Sequence, residues 1–200
     1  MEKSSPGRRL LFSITGNFGW IVKMKELVKI SLRFGALAGF TGSALLLGLY
    51  YMGRHPFLIP VFMDFRIILF GVFIFFTLRE IRDDQNGVLY FWQGIFGSLL
   101  FTVSYAAISA LALVLYMHAV PAFLTDYINL SIQQLRSLPP DVIQTIGKDV
   151  YERNLELLPA TSTADLAFLY FSQSFMISLF ISIILSVILR RHPKTTTPNA

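Results

Sequence analysis

The sequence predicts an all-α integral membrane protein, a four-helix bundle with an extracytoplasmic loop of two amphipathic helices. Residues 166–189 contain no charge over twenty-four positions and are followed at once by Arg190 and Arg191. Such a run crosses the roughly 30 Å hydrocarbon core as a helix, and the basic pair is typical of a cytoplasmic end. The chain is also 54% hydrophobic and 14% charged, whereas soluble domains have about 25% charged residues.

Four apolar stretches are long enough to be treated as membrane spans. Pro60 is taken as the first helical residue of the second span, because proline is favoured at that position. The third span is stopped by Pro121 and would form about 45 Å of helix, so it should tilt or protrude. Ser162 followed by Asp165 resembles a capping box that opens the fourth span. The predicted spans are residues 30–51, 60–78, 88–117 and 166–189.

Lysine and arginine residues predict the orientation. Twelve of them lie in residues 1–33, 79–82 and 190–194, and four lie in the opposite connections. Basic residues accumulate on the cytoplasmic side, so both termini should be cytoplasmic in a bacterial inner membrane. This distribution explains the net charge of +5 without a nucleic-acid partner. The predicted domains are a basic N-terminal extension (1–29), a four-span membrane domain (30–190) and a flexible cytoplasmic tail (191–200).

The outer loop, residues 118–165, carries two stretches of helical periodicity. The first covers Phe123 to Leu135, and the second follows Pro139 and Pro140, with Asp141 as a candidate N-cap. Two placements are open, because these helices could lie on the outer leaflet or pack together as a cap. The loop carries six acids against three bases, which disfavours attachment to anionic lipid and favours the cap.

Small residues repeat every four positions in three of the spans. In lipid, such stripes let two backbones approach closely, and Ser and Thr can hydrogen-bond across the contact. Spans one, three and four should therefore form the tight core. The second span has no stripe and is rich in phenylalanine, so we expect it at the periphery. The stripes are Gly35, Gly39 and Ser43; Gly94, Ser98, Thr102, Ala106 and Ala110; and Ser174, Ser178, Ser182 and Ser186.

Asp64, Arg66 and Gln173 form a candidate polar layer at membrane depth. In one interpretation Asp64 lies in the first turns of span two, near the positive helix end, and Arg66 snorkels outward. In the other, Asp64 and Arg66 meet Gln173, and ionisable groups in spans often mark transport paths. Because Asp64 and Arg66 are two positions apart on one helix, they should not pair directly.

No catalytic constellation is present in the sequence. The chain has no cysteine, which excludes disulfides and thiolate metal sites. His55 and His118 fall on the predicted outer side and His192 on the inner side, so the three cannot share a metal. No nucleophile elbow, zinc-protease motif, phosphate loop or dinucleotide fingerprint occurs. We therefore expect no enzyme activity, no cofactor and no bound metal.

Residues 65–100 resemble the four-span bacterial membrane proteins grouped as domain of unknown function 4199. In that family a helix ends in a basic–acidic turn, a glycine follows, and the next span opens with an aromatic residue and glycines. The resemblance covers about residues 24–190 and implies the fold and the location but no reaction. The residues that carry it are Arg79, Arg82, Asp83, Gly87, Phe91, Gly94 and Gly97.

The leading functional hypothesis is a non-catalytic membrane scaffold or accessory subunit. Its partners would be the lipid bilayer and other membrane proteins or further copies of itself, through contacts between helices. The alternative is a small oligomeric transporter or channel that uses Asp64, Arg66 and Gln173. The two hypotheses differ in whether these polar side chains surround a hydrated cavity.

Overall fold

The computed structural model describes the backbone of residues 6–60 and 63–191, and their side chains from position 24 onward. These residues form seven α-helices and no β-strand. The all-α prediction is confirmed. The helices are α1 Pro6–Tyr51, α2 Phe65–Asp84, α3 Phe91–Ala119, α4 Ala122–Arg136, α5 Pro140–Ile146, α6 Lys148–Leu157 and α7 Thr163–Leu189.

Three of the described helical segments are long and apolar enough to cross a membrane. They are Met24–Tyr51, Phe91–Ala119 and Thr163–Leu189. Their outward faces carry large apolar side chains such as Phe40 and Phe180, each about two-thirds exposed. A soluble protein would place polar residues on such faces. The chain therefore has the character of a membrane protein.

Helices α1, α2, α3 and α7 pack side by side. Helix α3 lies between α1 and α7, and α2 contacts α1, α7 and, to a lesser extent, α3. The expectation that the second span lies at the periphery is met only in part: α2 packs less closely on α3 than α1 and α7 do and exposes Ile68, but its Phe70, Ile74 and Leu78 are fully buried. The ring of Phe70 lies 4.7 Å from that of Tyr105 on α3. A small-residue stripe sets how closely two helices approach, whereas large side chains can fill a wider gap just as completely.

The bounds of α2 also differ from the prediction of residues 60–78. The helix begins at Phe65, because Asp64 is its N-cap and accepts a hydrogen bond of 2.9 Å from the Arg66 backbone N–H. Pro60 therefore lies outside the helix. At the other end α2 continues to Asp84, since no helix breaker occurs before the turn at Asn86, where φ is +60°.

Helix α1 begins well before the predicted start of span one at Ile30. It runs from Pro6 to Tyr51, with proline at its first position, so residues 6–29 continue the helix. Residues 1–5 of the predicted extension, residues 61–62 of the predicted second span and residues 192–200 of the predicted tail lie outside the described residues. Helix α7 ends at Leu189, and Arg191 then pairs with Leu89 through two backbone hydrogen bonds of 3.0 and 2.9 Å.

The segment between α3 and α7 contains three helices instead of the predicted two. Gly147 divides the second predicted helix into α5 and α6, because its φ of +97° is incompatible with a continuous α-helix. Asp141 is not the N-cap, since Pro139 holds that position and Asp141 lies in the first turn of α5. The predicted capping box of α7 is present, with Ser162 Oγ accepting from the Asp165 N–H at 3.2 Å. Helix α4 contacts α3, α6 and the turn Pro56–Leu58.

Candidate functional site

A buried arginine organises the polar cluster, which consists of Asp64, Arg66, Tyr170, Gln173 and Ser174. Arg66 Nε donates to both Asp64 carboxylate oxygens, at 2.9 and 2.8 Å. Nη1 donates to Ser174 Oγ at 3.0 Å, and Nη2 donates to Gln173 Oε1 at 2.9 Å and also to Asp64. Four of the five guanidinium N–H groups therefore have an acceptor.

The start of α2 explains why Asp64 and Arg66 pair, contrary to the prediction that they would not. The prediction placed both residues inside one helix, where positions two apart face different sides. Asp64 is instead the extended N-cap, so its carboxylate turns back over the first turn of α2. Arg66 does not snorkel outward but is buried against α7. The predicted contact with Gln173 is present.

Two tyrosines extend the polar cluster to the other helices. The Arg66 guanidinium lies 4.7 Å from the ring centroid of Tyr170, which is a favourable cation–π geometry. The Tyr170 hydroxyl is 2.7 Å from the hydroxyl of Tyr105 on α3. Tyr105 in turn packs on Gly42 of α1, where an added Cβ would lie 2.6 Å from the Tyr105 hydroxyl oxygen. One arginine thus joins α2 to α7 and, through two rings, to α3 and α1.

The charge pair of the polar cluster is largely buried. The side chains of Arg66 and Asp64 are 7% and 10% exposed. The adjoining cavity, lined by Leu46, Phe57 and Tyr170 among others, has a volume of about 10 Å³. A single water molecule needs about that much room. The arrangement can therefore hold a charge pair in place, and the cavity beside it among the described residues has room for about one water molecule.

A serine seam continues from the polar cluster along the contact between α3 and α7. Thr102 bonds to Ser178 across this contact, and Gly94 lies against Ser186, where an added Cβ would be 2.7 Å from Oγ. The hydroxyls of Ser98, Ser182 and Ser186 are buried without a hydrogen-bond partner among the described residues. The seam consists of Ser98, Thr102, Ser174, Ser178, Ser182 and Ser186, all fully or almost fully buried.

The stripe of α1 packs on a different part of α3. A Cβ added at Gly35 would lie 2.5 Å from the Phe101 carbonyl oxygen, and one at Gly39 would lie 3.0 Å from Ile108 Cβ. The close approach is also marked by Ser109 Oγ, which donates to the Gly39 carbonyl at 3.2 Å. Ser43 donates to its own helix, to the Gly39 carbonyl at 2.8 Å. On α3, Ala106 is buried, while Ala110 is half-buried.

The turn between α2 and α3 has the geometry that its residues suggest. Asp83 lies 3.8 Å from Arg79 and 3.5 Å from Arg82, in exposed or partly exposed ion pairs. Gly87 has a φ of +80° and donates to the Arg82 carbonyl at 2.9 Å. Phe91 opens α3 and is exposed. Gly97 faces Ile81 of α2, at 2.9 Å from an added Cβ.

The sequence of the chain matches one known protein family. The sequence profile of the family described as "Protein of unknown function (DUF4199)" matches residues 33–191. The chain belongs to the DUF4199 family. The match spans the polar cluster, the serine seam and the α2–α3 turn of this DUF4199 protein. No curated protein matches the chain, and no solved structure does.

Sequence reasoning missed three residues of the site in this DUF4199 chain. Tyr170, Tyr105 and Gly42 read as ordinary span residues, because tyrosine and glycine are common in membrane helices. One signal was available for Tyr170, which precedes Ser174 by one helical turn and so shares its face. No such spacing relates Tyr105 to Arg66. Within the described residues, no group of three His, Asp or Glu side chains is placed to hold a metal ion.

Proposed function

We propose that the protein is a four-span scaffold or accessory subunit of the bacterial cytoplasmic membrane. In this proposal α2 also crosses the membrane: its uncharged residues 67–78 lie in the hydrocarbon core, and its charged end at residues 79–84 lies among the cytoplasmic headgroups. Arg66, in the first turn of α2, is paired with Asp64, which lowers the cost of placing its charge at the membrane. The excess of basic residues at the inner connections supports cytoplasmic termini.

We favour a scaffold because the charge pair of the polar cluster is largely buried and the cavity beside it is small. A transport site has to bind its ion or proton and release it, so its charged groups need access to water or to further groups along which the ion or proton moves. Arg66 has protein acceptors for nearly all of its donors and lies beside a cavity of about 10 Å³. Such a cluster holds four helices in one arrangement. The lipid-facing surface of the helices is then the part of the protein that other membrane proteins can bind.

The serine seam favours a second candidate, an oligomeric transporter or channel. Three of its hydroxyls lack partners among the described residues, and the seam reaches the polar cluster at Ser174. Buried hydroxyls in line could carry water or protons if the contact between α3 and α7 opened. Asp64, Arg66 and Gln173 would then form the outer end of the path.

Flux through proteoliposomes separates the two candidates. For the scaffold we expect proton and cation flux equal to that of protein-free vesicles, for the wild type and for Asp64→Asn alike. A wild-type flux that Asp64→Asn abolishes, and that the exposed-site control Glu80→Gln retains, would overturn the scaffold and establish the transporter. Co-purification in mild detergent supplies the positive test, since a scaffold should retain the same membrane partner in fixed ratio. Recovery of the protein without any partner would contradict the accessory-subunit form.

A further inference from the structure

Helix α4 docks on the bundle around a buried histidine. His55 lies in the connection between α1 and α2 and is only 6% exposed. The fully buried ring of Phe123, from α4, lies 4.7 Å from the His55 ring. The ring centroid of Tyr127, on the same helix, lies 5.5 Å from that of His55, and the ring centroid of Tyr50 of α1 lies 5.9 Å from it. The histidine is therefore at the centre of the contact that holds α4 in place.

Among the described residues, only one nitrogen of His55 has a hydrogen-bond partner. Nε2 lies 3.1 Å from the Phe123 carbonyl oxygen, and because that oxygen can only accept, Nε2 carries the proton. Nδ1 is buried with no partner among the described residues. In a neutral ring Nδ1 presents a lone pair, which an apolar enclosure tolerates better than a charged N–H. Protonation would place an unpaired cationic N–H among aromatic rings.

The charged and titratable groups around His55 do not supply that missing partner. Asp126 of α4 is engaged by the Tyr50 hydroxyl at 2.7 Å, and Arg54 beside His55 is exposed. Tyr116 of α3 packs against Phe123, with ring centroids 5.5 Å apart, and Tyr127 faces the histidine ring. Burial lowers the pKa of His55, against the smaller opposing effects of the Phe123 hydrogen bond and the Asp126 charge.

We propose that His55 makes the docking of α4 acid-sensitive, so that its protonation releases α4 from the bundle. The released helix exposes the aromatic surface around Phe123 and gives His55 access to water. In the orientation proposed above, the acidity sensed is that of the outer compartment. The contact itself does not depend on that orientation.

The expected direction follows from the lowered pKa of the docked histidine. Docking is at full strength above the ordinary histidine pKa of about 6.5. Below that pH, His55 binds a proton in the undocked form but not in the docked form, so docking weakens as the pH falls. The ratio of undocked to docked protein should rise by up to about tenfold for each pH unit, until the pKa of docked His55 is reached.

Two spin labels measure this ratio in the full chain. Since the chain has no cysteine, Met52→Cys at the end of α1 and Leu130→Cys on α4 provide two unique labelling positions, both exposed. Distances between the labels are recorded in nanodiscs from pH 7.5 to 5.5. We expect one short distance at pH 7.5 and a growing population of longer distances below about pH 6.5. A distance distribution that does not change with pH would overturn the proposal.

Two matched variants assign the effect to His55. His55→Gln keeps an N–H donor for the Phe123 carbonyl but cannot be protonated, so it should remain docked at every pH. His118→Gln alters an exposed histidine that bonds to Val114 of its own helix, and it should respond like the wild type. A pH response retained by His55→Gln would refute the role of His55. If His55→Gln does not dock at all, NMR titration of carbon-labelled histidine in the wild type decides, because His55 must gain its proton over the pH range in which α4 is released.

Discussion

Two arginine–carboxylate pairs of the same chemistry lie in very different surroundings. Arg66 and Asp64 have side chains only 7% and 10% exposed, and Arg66 has further acceptors on α7. Arg33 of α1 and Glu80 of α2 are 2.6 Å apart but 56% and 40% exposed. Water can replace either partner of the second pair, whereas nothing replaces a partner of the first. The surroundings, not the ion-pair distance, therefore decide how much the bundle depends on each pair.

The largest effect should follow from breaking the buried pair on one side. Arg66→Met removes the guanidinium and leaves the Asp64 carboxylate buried without a counter-charge. We expect a loss of about 3–5 kcal/mol in the free energy of unfolding, the usual consequence of an uncompensated buried charge. Unfolding in mixed detergent micelles, followed by the loss of helical circular dichroism, measures it.

A double variant sharpens the same comparison. Asp64→Asn combined with Arg66→Met removes both charges, while asparagine keeps a side-chain oxygen for the N-cap of α2. This variant should be more stable than Arg66→Met alone, since no charge is left unpaired. Equal stability of the two variants would show that the arginine acts through packing and hydrogen bonds and not through its charge.

A smaller effect is expected where two backbones touch. Gly35→Ala places a methyl group 2.5 Å from the Phe101 carbonyl oxygen, so α1 and α3 must separate. We expect a loss of about 1–3 kcal/mol, as for other overpacked sites, in the same unfolding assay. Gly48→Ala is the matched control in the same helix, because no atom beyond the adjacent helix backbone lies within 4 Å of its added Cβ. A stability of Gly35→Ala equal to that of Gly48→Ala would contradict the close contact.

The smallest effect should come from the exposed pair. Arg33→Met should lower the free energy of unfolding by no more than about 1 kcal/mol, the range measured for surface ion pairs. The difference should also shrink as salt is raised, because exposed charges are screened. The measurement is the unfolding assay above at low and high salt. A loss as large as that of Arg66→Met would remove the distinction between the two sites.

The sequence predicted those features that depend on periodicity and length. Uncharged runs marked α3 and α7, and the repeat of small residues every four positions marked the faces of α1, α3 and α7 that are now buried. The prediction from sequence failed where the geometry depends on the residue at which one helix begins. The pairing of Asp64 with Arg66 requires α2 to begin at Phe65, and Pro60 offered a competing start. Likewise, the sequence does not show whether Gly147 takes a positive φ and ends a helix or stays within a continuous helix.

The phenylalanine-rich helix shows a second limit of sequence reasoning. Small residues indicate close backbone contact, but the absence of them says nothing about burial, and Phe70 is fully buried in the bundle. The partner of a long aromatic side chain depends on which helices are neighbours. That information comes from the packing of all four helices together, which no local pattern contains.

The backbone pairing of Arg191 with Leu89 has a mechanical consequence. Two hydrogen bonds join the chain just after α7 to the turn between α2 and α3, and Leu89 is fully buried. A pull applied to the chain beyond Arg191 is therefore shared between the end of α7 and the beginning of α3. Any protein that bound this end would move two helix ends together, and the force would reach the interior of the bundle through Leu89.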